Sequence, residues 1–224
     1  MKQTTSMFNS IAISIAIILF ISSCKKEAST PAPTPTPVPT STIFVREFTG
    51  TIDGTVYNYV DGNGTTNIGG GVSSALTGNS VSYYGSYLNY DTSFTQIFNL
   101  EKGILNFVGQ GVLPTDSAFN NFFALGTYPY TYPYYSSGTN GIHLYWTDQT
   151  GTQWSTSNGT ADQTGSAFAI TVSEPKLVTY ISGGITTVKD FVNIKTSFNC
   201  KLYNSSGQSK TLTNGSYTGY FIKQ

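Results

Sequence analysis

The chain carries one histidine, His143, and two cysteines, Cys24 and Cys200. A zinc site takes three or four His, Cys or carboxylate ligands, so this set offers no recognisable one. A Ser-His-acid relay is not excluded by spacing, because triads assemble from distant positions. No Gly-x-Ser-x-Gly segment in strand-then-helix context supplies its nucleophile, however. Ser173-Glu174-Pro175-Lys176 fits Ser-x-x-Lys as a string, but Pro175 denies the helix that would set Ser and Lys on one face. Asp61-Gly62-Asn63-Gly64-Thr65 looks like the first half of a Ca²⁺ loop, and the bidentate Glu that would close it is missing, so it reads as a turn. The remaining acids are scattered, and no cue pairs two of them for glycoside hydrolysis. The expectation is no catalytic residue, no metal site and no cofactor.

Binding is the better-supported chemistry. "GTYPYTYPYYSSG" sets Tyr128, Tyr130, Tyr132, Tyr134 and Tyr135 around Pro129 and Pro133. Pro stiffens the backbone, and Tyr offers a flat apolar face with a hydroxyl at its rim. Exposed, the segment would stack against sugar rings or a protein partner; packed down, its tyrosines would close the end of the core and cover the Phe-rich segment before it. "VSYYGSYLNYD" (Tyr83, Tyr84, Tyr87, Tyr90) is a second, weaker cluster with strand alternation.

The elements that would hold these residues are strands. Runs of Val, Ile, Thr, Tyr and Phe are separated by turn chemistry: Asp53-Gly54, Gly69-Gly70-Gly71, Gly78-Asn79, Lys102-Gly103, Thr150-Gly151, Gly183-Gly184, Ser206-Gly207 and Asn214-Gly215 among others. Strands are expected near 43–52, 55–60, 80–90, 93–101, 103–109, 141–148, 152–157, 166–173, 176–182, 187–203 and 210–222. That pattern predicts an all-β fold, an antiparallel β-sandwich of jelly-roll-like form or a barrel. "GIHLYWTDQTGTQWSTS" reads as a hairpin around Gln149-Thr150-Gly151, with Trp146 opposite Trp154 on a core face shared with Ile142 and Leu144. His143, alternating with them, faces the other way. One short helix is expected at 116–125, capped by Thr115 or Asp116, with Phe119, Phe122 and Phe123 on one face and Gly126 at its stop. It would plug one end or edge of the β structure.

Charged residues make up 10% of the chain. That is well below the roughly 25% of an average soluble protein. No basic cluster stands out in the strand-rich part, which argues against nucleic acid as a partner. Cys200 alternates with Phe198 and Leu202 and so reads as a small buried hydrophobe.

The start of the chain is built differently. Lys2 precedes an apolar run from Ile11 to Ile21, interrupted by Ser14 and followed by Ser22 and Ser23. The run is about half the ~20 residues that a membrane span needs, and the layout is that of a secretory signal peptide. Ile21-Ser22-Ser23-Cys24 resembles the bacterial lipobox. That resemblance implies cleavage before Cys24 and lipid attached there, giving a membrane anchor of several acyl chains. Pro31, Pro33, Pro35, Pro37 and Pro39 then alternate with Thr, Ala and Val, an extended polyproline II stalk of roughly 34 Å at about 3.1 Å per residue. The organisation read from the sequence is a signal peptide at 1–23, a lipidated Cys and Pro/Thr-rich linker at 24–42, and a single β domain at 43–224.

Lipobox, linker and a β domain opening on "FTGTIDG" together resemble uncharacterised lipoproteins of the Bacteroidota, as do "GIHLYWTDQTGTQWSTS", "QTGSAFAIT" and "FNCKLYNSSGQSKTLTNGSYTGYF". The resemblance implies a lipid-anchored β-sandwich of the bacterial cell envelope, at the outer membrane, facing the periplasm or the outside. Asp116-Ser117-Ala118 also resembles the short O-glycosylation acceptor motif of that group. The functional expectation is non-catalytic: a glycan- or protein-binding surface, or else a structural, assembly or adhesin-like role. A hydrolase is the least favoured reading.

Overall fold

The computed structural model describes residues 43–61, 69–76, 81–90, 95–107, 113–131, 140–182 and 185–223, with backbone alone at 69–76, 81 and 180–182. The expected signal peptide, Cys24, the Pro-rich linker, Tyr132, Tyr134, Tyr135 and most of the Asp61–Thr65 loop lie outside these residues.

Among the described residues the strands are β1 (Glu47–Ile52), β2 (Thr55–Val60), β3 (Gly69–Leu76), β4 (Val81–Asn89), β5 (Ile97–Asn106), β6 (Gly126–Thr127), β7 (Gly141–Thr147), β8 (Gln153–Ser155), β9 (Ala167–Ser182), β10 (Ile185–Tyr203) and β11 (Ser209–Ile222), with one helix, α1 (Asp116–Phe122). The strand pairs are antiparallel, in the order β2-β1-β11-β10-β8-β7-β5-β4-β3, with β9 and β6 branching from β10. The sheet is open rather than a closed barrel. Its corner is β10, which pairs with β9 from Ile185 to Asn199 and then meets β8 at the single pair Tyr203↔Ser155.

Bent at that corner, the two halves face each other across an aromatic core. Phe48 of β1 stacks on Phe98 of β5 with ring centres 3.7 Å apart, and Phe198 of β10 stacks on Phe168 at 5.4 Å. Each such pair contributes about 0.5–1.5 kcal/mol beyond its buried area. Polar links also cross the core: Trp146 Nε1 donates to Tyr59 Oη at 2.9 Å, and Ser86 Oγ and Tyr217 Oη share a hydrogen bond at 2.6 Å. These satisfy groups whose burial would otherwise be costly. The all-β, antiparallel, sandwich-like expectation matches the architecture.

Four local readings are corrected. Gly69-Gly70-Gly71 begins β3 instead of turning, because its backbone is paired along β4 from Gly69↔Asn89 to Leu76↔Ser82. Lys102-Gly103 also does not turn: β5 continues through it, paired with β7 as Lys102↔Ile142 and Gly103↔Gly141, with a one-residue bulge against β4 between Lys102 and Leu105. Pro175 does not divide β9, which borders only the two-residue β6 on its other side and so has edge positions where a missing N–H is harmless. The helix ends at Phe122, three residues early, as the Phe123 N–H turns to Asn120 O. Its start is as expected: Thr115 Oγ1 accepts from Ala118 N at 3.2 Å. Phe119, Phe122 and Phe123 are buried against Tyr84, and Phe123 stacks on Phe221.

Candidate functional site

The β7–β8 hairpin forms with the predicted register, Trp146↔Trp154, and both indoles are buried. Its loop is Gln149-Thr150-Gly151, with Gly151 at φ +79°, a conformation a side chain would strain. Asp148 organises it: one carboxylate oxygen accepts from Thr150 N, Thr150 Oγ1 and Thr152 N, and the other from Trp154 Nε1 at 2.8 Å. Burial works against ionisation of Asp148, but these donors outweigh it and hold the carboxyl below its ordinary range. The β10–β11 loop repeats the construction. Asn204 Oδ1 accepts from Ser206 N and Gln208 N, and Gly207 takes φ +80°.

Between these two loops lies an open groove of about 670 Å³. Asp148, Gln153, Asn158, Ser206, Gln208 and Lys210 line it, beside the Trp154 indole. Lys210 Nζ lies 4.8 Å from the Trp154 ring centre and 3.4 Å from Asp53 Oδ2. The lining is a set of amide, hydroxyl and charged groups, suited to a ligand rich in hydroxyls.

A second constellation lies on the other face of the same hairpin. Glu101 pairs with His143 across β5 and β7, and the β7–β8 register, continued past Ser155, brings His143 opposite Ser157. His143 Nδ1 is 2.9 Å from Glu101 Oε2, and His143 Nε2 is 3.0 Å from Ser157 Oγ. Asn99 Nδ2 donates to Glu101 Oε1 at 2.8 Å. Glu101 and His143 are buried, and Ser157 is half-buried.

The chain matches no family model, no characterised protein and no solved structure.

Of the five segment tyrosines, Tyr128 and Tyr130 are within the described residues and both are half-buried. Tyr128 donates its hydroxyl to Ala124 O at 2.6 Å, and Tyr130 donates to Asn199 O at 3.0 Å and Ala167 O at 3.2 Å. Burial, with Cys200 alongside, pushes the Tyr130 hydroxyl far above its usual range. Tyr128 covers Lys102, whose Nζ lies 3.6 Å from the Tyr128 ring centre, 4.3 Å from that of Phe122, and in hydrogen-bond contact with Asn140 Oδ1. Lys102 is completely buried, and desolvation draws its amine down to about 7. In the second cluster Tyr84 is buried, Tyr87 is exposed, and Tyr83 and Tyr90 are half-buried.

Cys200 is buried with Phe198 and Leu202, and burial pushes its thiol up to about 12. Ser173 and Lys176 lie three apart on β9, which turns them to opposite faces, and Lys176 pairs with Glu174 at 3.3 Å. The Asp61 carboxylate is held by Arg46 Nε at 3.0 Å. Asp116, in the first turn of α1, pairs with Lys223. Among the described residues no cluster of three or more His, Cys, Asp or Glu could hold a metal, and no helix is long and apolar enough to cross a membrane.

Sequence reasoning overlooked the Glu101–His143–Ser157 row and Lys102. Half the signal for the row was present: a hairpin with Trp146 opposite Trp154 puts His143 opposite Ser157 by counting. Glu101 had no such signal, since its place beside His143 depends on β5 pairing with β7.

Proposed function

We propose that this chain is a lipid-anchored protein of the bacterial cell envelope, held at the outer membrane through Cys24, whose β domain binds carbohydrate in the groove between the 148–152 and 204–208 loops. The groove carries this reading. Amides and hydroxyls there present paired donors and acceptors of the kind sugar hydroxyls use, and its volume is in the ~300–1,000 Å³ range of small-ligand sites. The two loops that wall it are fixed by their own Asp148 and Asn204 hydrogen bonds, so less ordering would accompany binding. A Pro-rich stalk between anchor and domain fits a role in reaching a ligand away from the membrane surface.

The anchor is tested by metabolic labelling with an alkyne fatty acid: label is expected on the wild-type chain and lost in Cys24→Ala. The groove is tested by a glycan array followed by fluorescence titration of any hit. Saturable binding that weakens at least tenfold in Gln153→Ala/Asn158→Ala is expected. Binding untouched by that double change, or no binding to any glycan, would send the search to protein partners.

A further inference from the structure

The hydrogen bonds around Ser157 run in one direction. Ser155 Oγ accepts the backbone N–H of Ser157 at 3.3 Å and of Asn158 at 3.1 Å. With both lone pairs taken, the Ser155 hydroxyl is left to donate, and Ser157 Oγ is 3.3 Å away. Ser157 then directs its own proton at His143 Nε2. That leaves the imidazole proton on Nδ1, aimed at Glu101 Oε2, while Asn99 holds the other carboxylate oxygen. An ionised carboxylate only accepts, so every donor in the chain points from Ser155 towards Glu101. A serine that donates to the unprotonated nitrogen of a carboxylate-oriented imidazole is the arrangement that activates a hydroxyl nucleophile.

We propose that Ser157 is the nucleophile of a hydrolytic site for carboxylic esters, with His143 as its base and Glu101 as the residue that positions His143. Ser157 Oγ attacks the ester carbonyl carbon as its proton passes to His143 Nε2. The tetrahedral adduct collapses, the acyl C–O bond breaks, and the leaving alcohol takes the proton back from Nε2. Water, deprotonated by His143, then attacks the acyl-Ser157 carbonyl and releases the acid with Ser157 restored. The balance is ester plus water to acid plus alcohol. The Ser155 hydroxyl, donating to Ser157 Oγ, turns the Ser157 proton towards His143 Nε2. An ester suits the site better than an amide, because its alkoxide leaving group needs less help. Glu101, His143 and Ser157 are not among the residues that line the groove, and the site does not depend on carbohydrate binding there.

The test uses the full chain in detergent, with a fluorophosphonate probe and p-nitrophenyl acetate. The expected result is one covalent adduct, mapped by mass spectrometry to Ser157, together with release of p-nitrophenol. Ser157→Ala should abolish both. Glu101→Gln should lower the rate by at least about a hundredfold and displace the pH profile, which a purely structural role would not do. An unlabelled wild-type chain, or labelling and hydrolysis that persist in Ser157→Ala, would overturn the proposal. Should Ser157→Ala fail to fold by tryptophan fluorescence, Ser157→Cys keeps the side-chain volume. Its thiol should then be alkylated by iodoacetamide below pH 8, as a histidine-paired thiolate is; alkylation following an ordinary thiol pKa near 8.5 would equally overturn it.

Discussion

The Lys102 ammonium nitrogen lies 3.6 Å from the centre of the Tyr128 ring, inside the protein and beneath α1. The ring face compensates part of the desolvation of the charge, and the amine still falls from 10.5 to about 7. Between those two values the unfolded chain binds more protons than the folded one, so stability rises with pH. Cys200, pushed up from 9.0 to about 12, acts in the opposite sense once the pH exceeds 9. The urea midpoint should therefore climb from pH 7 to 9, level off up to about pH 10.5 where the two groups oppose each other, and fall above that. In Lys102→Met the climb should vanish while the alkaline fall remains.

Tyr59→Phe removes the acceptor of the buried Trp146 indole N–H without changing the packed shape. A buried donor left without its partner costs about 1–3 kcal/mol. Chemical denaturation should show a loss of that size with an unchanged m-value, and the same Tyr59→Phe change should cost less in a Trp146→Phe background, where the indole N–H is absent.

Asp148→Ala should destabilise the hairpin by about 1–3 kcal/mol, because the Trp154 N–H and two loop N–H groups lose their acceptor. The Asp148 carboxyl is held below 3.8 in the folded chain, so its contribution is present above that pH and is lost as the pH falls through the folded value. Tryptophan fluorescence during acid titration should report the loss in wild type and show no such step in the variant.

The Cys200 thiol, buried and with its ionisation suppressed, should resist Ellman's reagent in the folded chain and react at once in urea. Reaction in the absence of denaturant would mean that β10 opens locally near residue 200.

Several features of the fold were legible from local chemistry. The Thr115 cap, the left-handed glycine of the 149–151 loop and the Trp146↔Trp154 register follow from contacts within a few residues along the chain, and the shared face of Phe198, Cys200 and Leu202 follows from strand alternation. Gly69-Gly70-Gly71, Lys102-Gly103 and Pro175 were misread for one reason. Glycine and proline report what the backbone tolerates, and whether such a residue turns or stays extended is settled by the strand beside it.

By itself the sequence determined an all-β chain with a short helix, a polar, weakly charged surface and a hairpin whose turn dictates its own register. Tertiary structure decided the rest. Glu101 meets His143 only because β5 pairs with β7, 42 residues away in the chain. Lys102 is an ordinary strand lysine until α1 and Tyr128 close over it, and the groove exists only where two separate loops come side by side. Turn and cap energies depend on neighbouring residues and can be read along the chain. Desolvation and cross-strand hydrogen bonding depend on what the fold brings near, and no local pattern encodes it.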